Sequence, residues 1–305
     1  MVEDREAELT QLLSEVRRIE VQARRLVTGV MAGSYNSVFR GSGIEFDEVR
    51  EYEPGDDPRS VDWNVTARIG KPYIKRYVEE RAVTVLFLVD LSSTMNGGLG
   101  VWSMRQMAAR VCACLALAAV ENNDHVGLVA MGRGIEKYVP PDKGSAQALR
   151  VVRDCLALPS SPGPVDMVPA MRFAARAVRR HSVLFVLSDF LSTGWERELM
   201  MCSRRHDVTA VRFMPPELAG VPAGGLVRVR DPQTGDETVI DWSSRRVREA
   251  YAERMSAWKE RTQRLMRRAQ VDLMDVPVPV ERDRDAVARP ILRFFKMREQ
   301  RGAKR

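Results

Sequence analysis

Ala82-Val83-Thr84-Val85-Leu86-Phe87-Leu88-Val89-Asp90-Leu91-Ser92-Ser93-Thr94 is the stretch that decides the fold of this chain. Its first eight residues are apolar or β-branched without a break. That pattern predicts a strand buried on both faces rather than on one. A carboxylate, Asp90, and then the hydroxyls of Ser92, Ser93 and Thr94 follow directly. A second run of the same form, Ser182-Val183-Leu184-Phe185-Val186-Leu187-Ser188-Asp189, also ends in Asp.

Helical and extended patterns alternate around these two runs. Helices are expected over Ser103–Val120, Ser145–Ala157, Met167–Arg180 (capped by Asp166), Trp195–Ser203 and Val247–Arg268. Strands are expected over His125–Met131, Asp207–Phe213, Thr238–Asp241 and Val271–Val276, with Gly134–Pro140 as an antiparallel edge. Strands alternating with helices predict an α/β domain, a central mostly parallel sheet covered by helices on both faces. Upstream, Leu9, Leu12, Leu13, Val16, Ile19, Ala23, Leu26 and Val27 fall at helical spacing. They predict an N-terminal amphipathic helix with Gly29 and Gly33 flanking its end. The expected organisation is an N-terminal helix over 1–32, a segment rich in Gly, Asp, Glu and Arg over 33–81 that packs on the main domain, the α/β domain over 82–280, and a basic C-terminal tail over 281–305 that frays from about Arg298.

Composition narrows the function classes. The chain has 305 residues, 45% of them hydrophobic and 29% charged, so a sizeable core is expected and overall disorder is not. The net charge is +7, unevenly placed: Ser243 to Arg305 holds 18 lysines and arginines against 9 acids. Solvated arginine-rich helix faces explain this, and so would a patch for nucleic acid, membrane or an acidic partner. Cys112, Cys114, Cys155 and Cys202 form no C-x-x-C pair and read as small core residues in a reducing compartment. No signal-peptide pattern opens the chain. The uncharged run Val111–Val120 is short of the roughly 20 residues that span a bilayer. A soluble, cytoplasmic protein is expected.

The chemistry lies at the strand ends. In open α/β sheets the ligand crevice sits at the carboxyl ends of the strands, so Asp90 and Asp189 can face one volume. Ser92 and Thr94, at alternate positions in a tight loop, can turn their hydroxyls to the same point. Two carboxylates and two hydroxyls make a hard oxygen set suited to Mg2+ or Mn2+; without a cation the carboxylates repel or share a proton. The dispersed histidines and cysteines do not favour zinc. Against the metal stands a plainer reading, in which the same groups satisfy strand-end and cap hydrogen bonds. Asp166 has two readings as well, a helix N-cap or a further group of the metal site. Gly97-Gly98-Leu99-Gly100 lacks the following Gly-Lys-Ser/Thr of a phosphate loop, and no nucleophile motif is present, so a non-enzymatic protein is expected.

These residues also carry a resemblance. Asp90-x-Ser92-x-Thr94 after a buried strand resembles the metal-ion-dependent adhesion site of von Willebrand factor A domains, Asp-x-Ser-x-Ser, and Asp189 matches the Asp that follows their fourth strand. Val165 stands where such domains carry a separate Thr and offers no metal-binding atom; Ser160 and Ser161 are the nearby hydroxyls. A longer signature runs from Gly43-Ile44-Glu45-Phe46-Asp47-Glu48-Val49-Arg50-Glu51-Tyr52 through Glu53-Pro54-Gly55-Asp56-Asp57-Pro58-Arg59-Ser60 to Val61-Asp62-Trp63-Asn64-Val65-Thr66-Ala67-Arg68. It continues in Lys75-Arg76-Tyr77-Val78-Glu79-Glu80-Arg81. This signature is similar to that of the bacterial "domain of unknown function 58" family, and the likeness covers about residues 30 to 240. The family is typically encoded beside MoxR-type AAA+ ATPases. The resemblance therefore implies a von Willebrand factor A-like fold and an adaptor role with such an ATPase, binding a partner carboxylate through the metal. Within the signature, acids alternating with arginines read as ion pairs that stitch an irregular segment together, or as a docking face; Pro54-Gly55-Asp56-Asp57 reads as a turn. Two other functions stay open: a metal-dependent hydrolase using the strand-end carboxylates, and nucleic-acid or membrane binding through the basic C-terminal segment.

Overall fold

The run Val85–Val89 is continuous because successive side chains of a strand point to opposite faces, and here both faces are covered. A computed structural model of the chain describes residues 2–28, 35, 38–39, 46–53, 56–57, 61–77, 82–178, 180–218, 220–283 and 285–302. Gly29, Gly33, Gly43 to Glu45, Pro54, Gly55, Pro58 to Ser60, Val78 to Arg81, Arg179 and Ala303 to Arg305 lie outside the described residues.

In chain order the elements are α1 (Val2–Leu26), β1 (Phe46–Glu51), α2 (Trp63–Ile69), β2 (Tyr73–Tyr77), β3 (Thr84–Asp90), α3 (Met104–Glu121), β4 (His125–Met131), β5 (Ile135–Asp142), α4 (Ser145–Ala157), α5 (Met167–Ala177), β6 (Val183–Ser188), α6 (Glu196–Ser203), β7 (Asp207–Met214), β8 (Leu226–Arg230), β9 (Glu237–Asp241), α7 (Arg245–Arg268), β10 (Asp272–Pro277) and α8 (Ala288–Gly302). Six strands form the central sheet in the order β10-β7-β6-β3-β4-β5. All its pairs are parallel except β4 with β5. The expected architecture is therefore present, the antiparallel edge included.

Val85, Phe87 and Val89 face one layer, built with α1, α3, α4 and α8. Leu86 and Leu88 face the other, built with α5, α6 and α7. Phe87 lies opposite Phe185 in register, and their rings stack at 5.5 Å. Such offset aromatic pairs add to plain area burial. Helix α3 is buried along nearly its whole length. Its small Ala and Cys side chains let it lie close to the sheet, and α1 covers its outer side through Val16, Ile19 and Ala23. Leu13, expected on the same apolar stripe, is exposed. Ser103 and Gln106 close the start of α3 as a capping box. Gly127 is required where β4 meets β5, because a Cβ there would come within 2.9 Å of Val139 O and Pro141 N.

The signature segment is regular rather than wholly irregular. β1 and β2 pair antiparallel, and α2 lies between them in sequence. Its acids act locally. Asp62 caps α2 by accepting from the Asn64 and Val65 amides, and Gly70 ends the helix at φ 77°. Asp56 accepts from Arg50 at 2.6 Å and from the Glu53 amide at 2.9 Å. These bonds hold the Asp56 carboxyl below the usual range, the Glu53 amide contributing most.

Two stretches differ from expectation. The segment expected as a basic tail from residue 281 contains α8, and Arg298 lies inside that helix instead of in a frayed end. Ile291, Phe294 and Phe295, at helical spacing, are buried in the main core, where Phe295 meets Tyr35 and Phe39 edge-on. Arg298 pairs with Asp207 at 2.6 Å and Asp272 at 3.3 Å, and Arg301 pairs with Asp272 at 2.7 Å. Part of the basic character is thus matched by acids at the start of β7 and β10. Second, the strand expected over Thr238–Asp241 belongs to an exposed two-stranded hairpin, β8–β9, whose first strand was not anticipated. No helix among the described residues is long and apolar enough to cross a membrane. All four cysteines are free and buried.

Candidate functional site

β3 and β6 lie side by side and parallel. From β3 the chain moves outward to β4, and from β6 it moves the other way to β7. This is the topological switch point of the sheet, where the strand ends open a crevice. Asp90 ends β3 and Asp189 follows β6, and both are almost fully buried.

Each Asp90 oxygen has a donor: Oδ1 accepts from the Ser92 amide at 2.7 Å, and Oδ2 accepts from Ser188 Oγ at 2.6 Å. Ser92 Oγ and Thr94 Oγ1 stand 2.9 Å apart. Asp189 Oδ1 accepts from the Leu191 amide at 2.9 Å, and Thr94 also bonds to this carboxyl. Asp189 Oδ2 is buried with no hydrogen-bond partner. Burial, and then the charge of Asp189, push the Asp90 carboxyl up to about 7. Burial likewise raises Asp189, against the bonds from Thr94 and Leu191. Two carboxylates are thus held together in a dry place with fewer positive partners than their charge needs.

Asp90, Ser92, Thr94 and Asp189 are therefore brought together as the sequence predicts. A small hard cation fits what is present: four oxygen ligands, one of them an orphaned buried acceptor. Among the described residues no group of three or more His, Cys, Asp and Glu is placed to hold a metal. Any cation here would rest on two carboxylates and two hydroxyls.

Asp166 does not join them. Its Oδ1 accepts from the Val168 amide at 3.0 Å, so it is the exposed N-cap of α5. Val165 is buried in the layer with Met131 and Met167, packing as its side chain dictates. The nearby hydroxyls are engaged elsewhere. Ser161 Oγ donates to Glu136 at 3.0 Å and accepts from the Arg133 amide at 3.1 Å. Ser160 Oγ accepts from Asn96.

Three residues of the site escaped sequence reasoning. Ser188 supplies a donor to Asp90, and its position just before Asp189 was the available signal. Phe190 takes φ 56°, uncommon for a residue with a side chain, and this turn carries the chain away just after Asp189. Its ring packs edge-on against Trp195 at 5.3 Å, and its carbonyl accepts from Trp258 at 3.2 Å. Arg105, in the first turn of α3, is buried and donates to Cys155 O at 2.6 Å and to Leu158 O. It ties the last turn of α4 to the loop that follows, which bridges Ser92 through Ser161.

Residues 48–261 match the family described as "Protein of unknown function DUF58". The chain belongs to that family. Its fold is a six-stranded, mostly parallel sheet between two helical layers. The chain is similar to the uncharacterized protein Rv1480 of Mycobacterium tuberculosis, at 28% identity over 298 residues, covering 96% of this chain and 91% of that one. A Mycobacterium bovis protein, Mb1516, matches with the same identity and cover, 28% over 298 residues. Among solved structures, the chain is similar to BatB of Bacteroides thetaiotaomicron, at 14% identity and TM-score 0.38, covering 70% of this chain and 100% of that one. It is also similar to the SpRpn10 VWA domain, at 13% identity and TM-score 0.39, covering 68% and 95%.

Proposed function

We propose that this DUF58 protein is a non-enzymatic adaptor that binds a partner protein's carboxylate through a divalent cation, Mg2+ or Mn2+, held by Asp90, Ser92, Thr94 and Asp189. The observation that carries this reading is the buried, partnerless Asp189 Oδ2 at the switch point, beside a second carboxylate whose proton affinity is raised. A bound cation would supply positive charge and an open coordination position to an incoming acid. Asp90 and Asp189 supply the negative charge, Ser92 and Thr94 the neutral oxygens. Ser188 and the Ser92 amide keep Asp90 oriented. The partner is a MoxR-type AAA+ ATPase, a reading that rests on the family resemblance, and the setting is the cytoplasm.

Thermal melts with Mg2+ and with chelator test the cation. Stabilisation should follow RT ln(1 + [L]/Kd), about 2.7 kcal/mol at 100-fold excess over Kd. Identical melts under both conditions would sink the metal. A pull-down with wild type and Asp90→Ala, with and without chelator, tests the partner: capture of an AAA+ ATPase that needs neither Asp90 nor metal would remove the site from the interaction.

A further inference from the structure

The two outer edges of the central sheet differ. β5 forms one edge; its register against β4 shifts, and Pro140 and Pro141 remove two backbone donors. Such features blunt an edge against further pairing. β10 forms the other edge and, among the described residues, pairs only with β7. The Val278 amide donates to Met214 O at 2.9 Å. Alternate residues of a strand turn their backbone groups to the same side, so Leu273, Asp275 and Pro277 turn theirs to the open edge.

The same three residues line a groove of about 420 Å³ between β10 and α8. Met274, Ala286 and Phe294 give it an apolar, nearly buried lining. Arg289 and Arg293 of α8 stand along it. The other charges here are matched: Asp275 with the fully buried Arg212 at 2.7 Å, and Asp283 with Arg289 at 3.1 Å. Arg293 is exposed and has no acidic partner among the described residues.

We propose that this groove takes an extended segment of a partner protein as a seventh strand, with an acidic side chain of that segment against Arg293. The open Leu273 and Asp275 amides and the carbonyls of Leu273, Asp275 and Pro277 demand an extended backbone. The apolar lining takes the side chains that alternate inward, and the unmatched Arg293 selects an acid. A second copy of this chain fits less well, since edge-to-edge pairing would bring like-charged grooves together. The surface is separate from the strand-end carboxylates and needs no cation.

The test uses the full chain and a labelled, end-blocked octapeptide in which threonine alternates with three valines and one glutamate, so that valine and glutamate share the face turned to α8, with lysine in place of the glutamate as control. Saturable binding is expected, with protection of the Leu273 and Asp275 amides from hydrogen exchange. Arg293→Glu should weaken it by about tenfold or more. N-methylation of alternate peptide amides should abolish it, while Asp90→Ala and chelator leave it unchanged. Absence of binding, equal binding of the lysine peptide, or indifference to N-methylation overturns the proposal. So does a concentration-dependent dimer that protects the same amides without peptide, which assigns the edge to a second copy.

Discussion

Asp90 and Asp189 are two acids that water would keep apart and the sheet holds together. Their shared burial makes stability depend on pH in a definite direction. A carboxyl raised in the folded state binds more protons folded than unfolded, so its stabilising contribution is full below the ordinary carboxylate range and is lost as pH rises toward about 7. Denaturant titrations in chelator should therefore show lower stability at about pH 8 than at about pH 5, by on the order of one to a few kcal/mol from this pair. Asp90→Asn should flatten that slope, and an unchanged slope would show that the pair does not feel its own charge. Added Mg2+ should reverse the loss at the higher pH in the wild type and not in Asp189→Asn. At this scale the sequence was legible where spacing alone sets direction: Asp90, Ser92 and Thr94 converge because alternate residues of one tight loop can face one point. Ser188 was not legible, because its bond to Asp90 crosses between strands and depends on their register. The sequence allows Asp166 toward the metal as well as the helix, and its carboxylate accepts from the helix amide of Val168.

Element by element, the buried strands were plain because a two-sided core leaves an uninterrupted apolar run. The helix α8 was hidden by its own charges: Arg289, Arg293, Lys296, Arg298 and Arg301 dominate the reading, while Ile291, Phe294 and Phe295 do the packing. The exposed hairpin β8–β9 was half visible, since neither face of β8 is buried to impose a pattern. β1 and β2 were obscured by the charged signature around them. If α8 belongs to the core, Phe295→Ala should cost about 3–5 kcal/mol, as for other buried aromatics cut to Ala. Chemical denaturation measures this; a loss within experimental error would mean that α8 is a detachable appendage. Truncation after Val280 should be more damaging still, and should remove the ion pairs of Arg298 and Arg301 with Asp207 and Asp272.

Across the whole molecule, the helical layers close over the thiols as completely as over the aliphatic core. Burial raises Cys114 to about 12 and Cys202 to about 11, and it raises Cys112 as well. The native protein should therefore react slowly with a thiol reagent, and all four cysteines should react once denaturant is added. Fast labelling in the native state would mean that the layers open readily. The position of the candidate site also bears on the order of folding. Ser188 and Asp90 are 98 residues apart in sequence and meet only when β3 and β6 pair. The intervening chain holds α3, β4, β5, α4 and α5, so this contact closes a long loop. A ligand seated between these strand ends would grip a juncture completed late. It would act as a latch, slowing escape from the native state while leaving the refolding rate nearly unchanged.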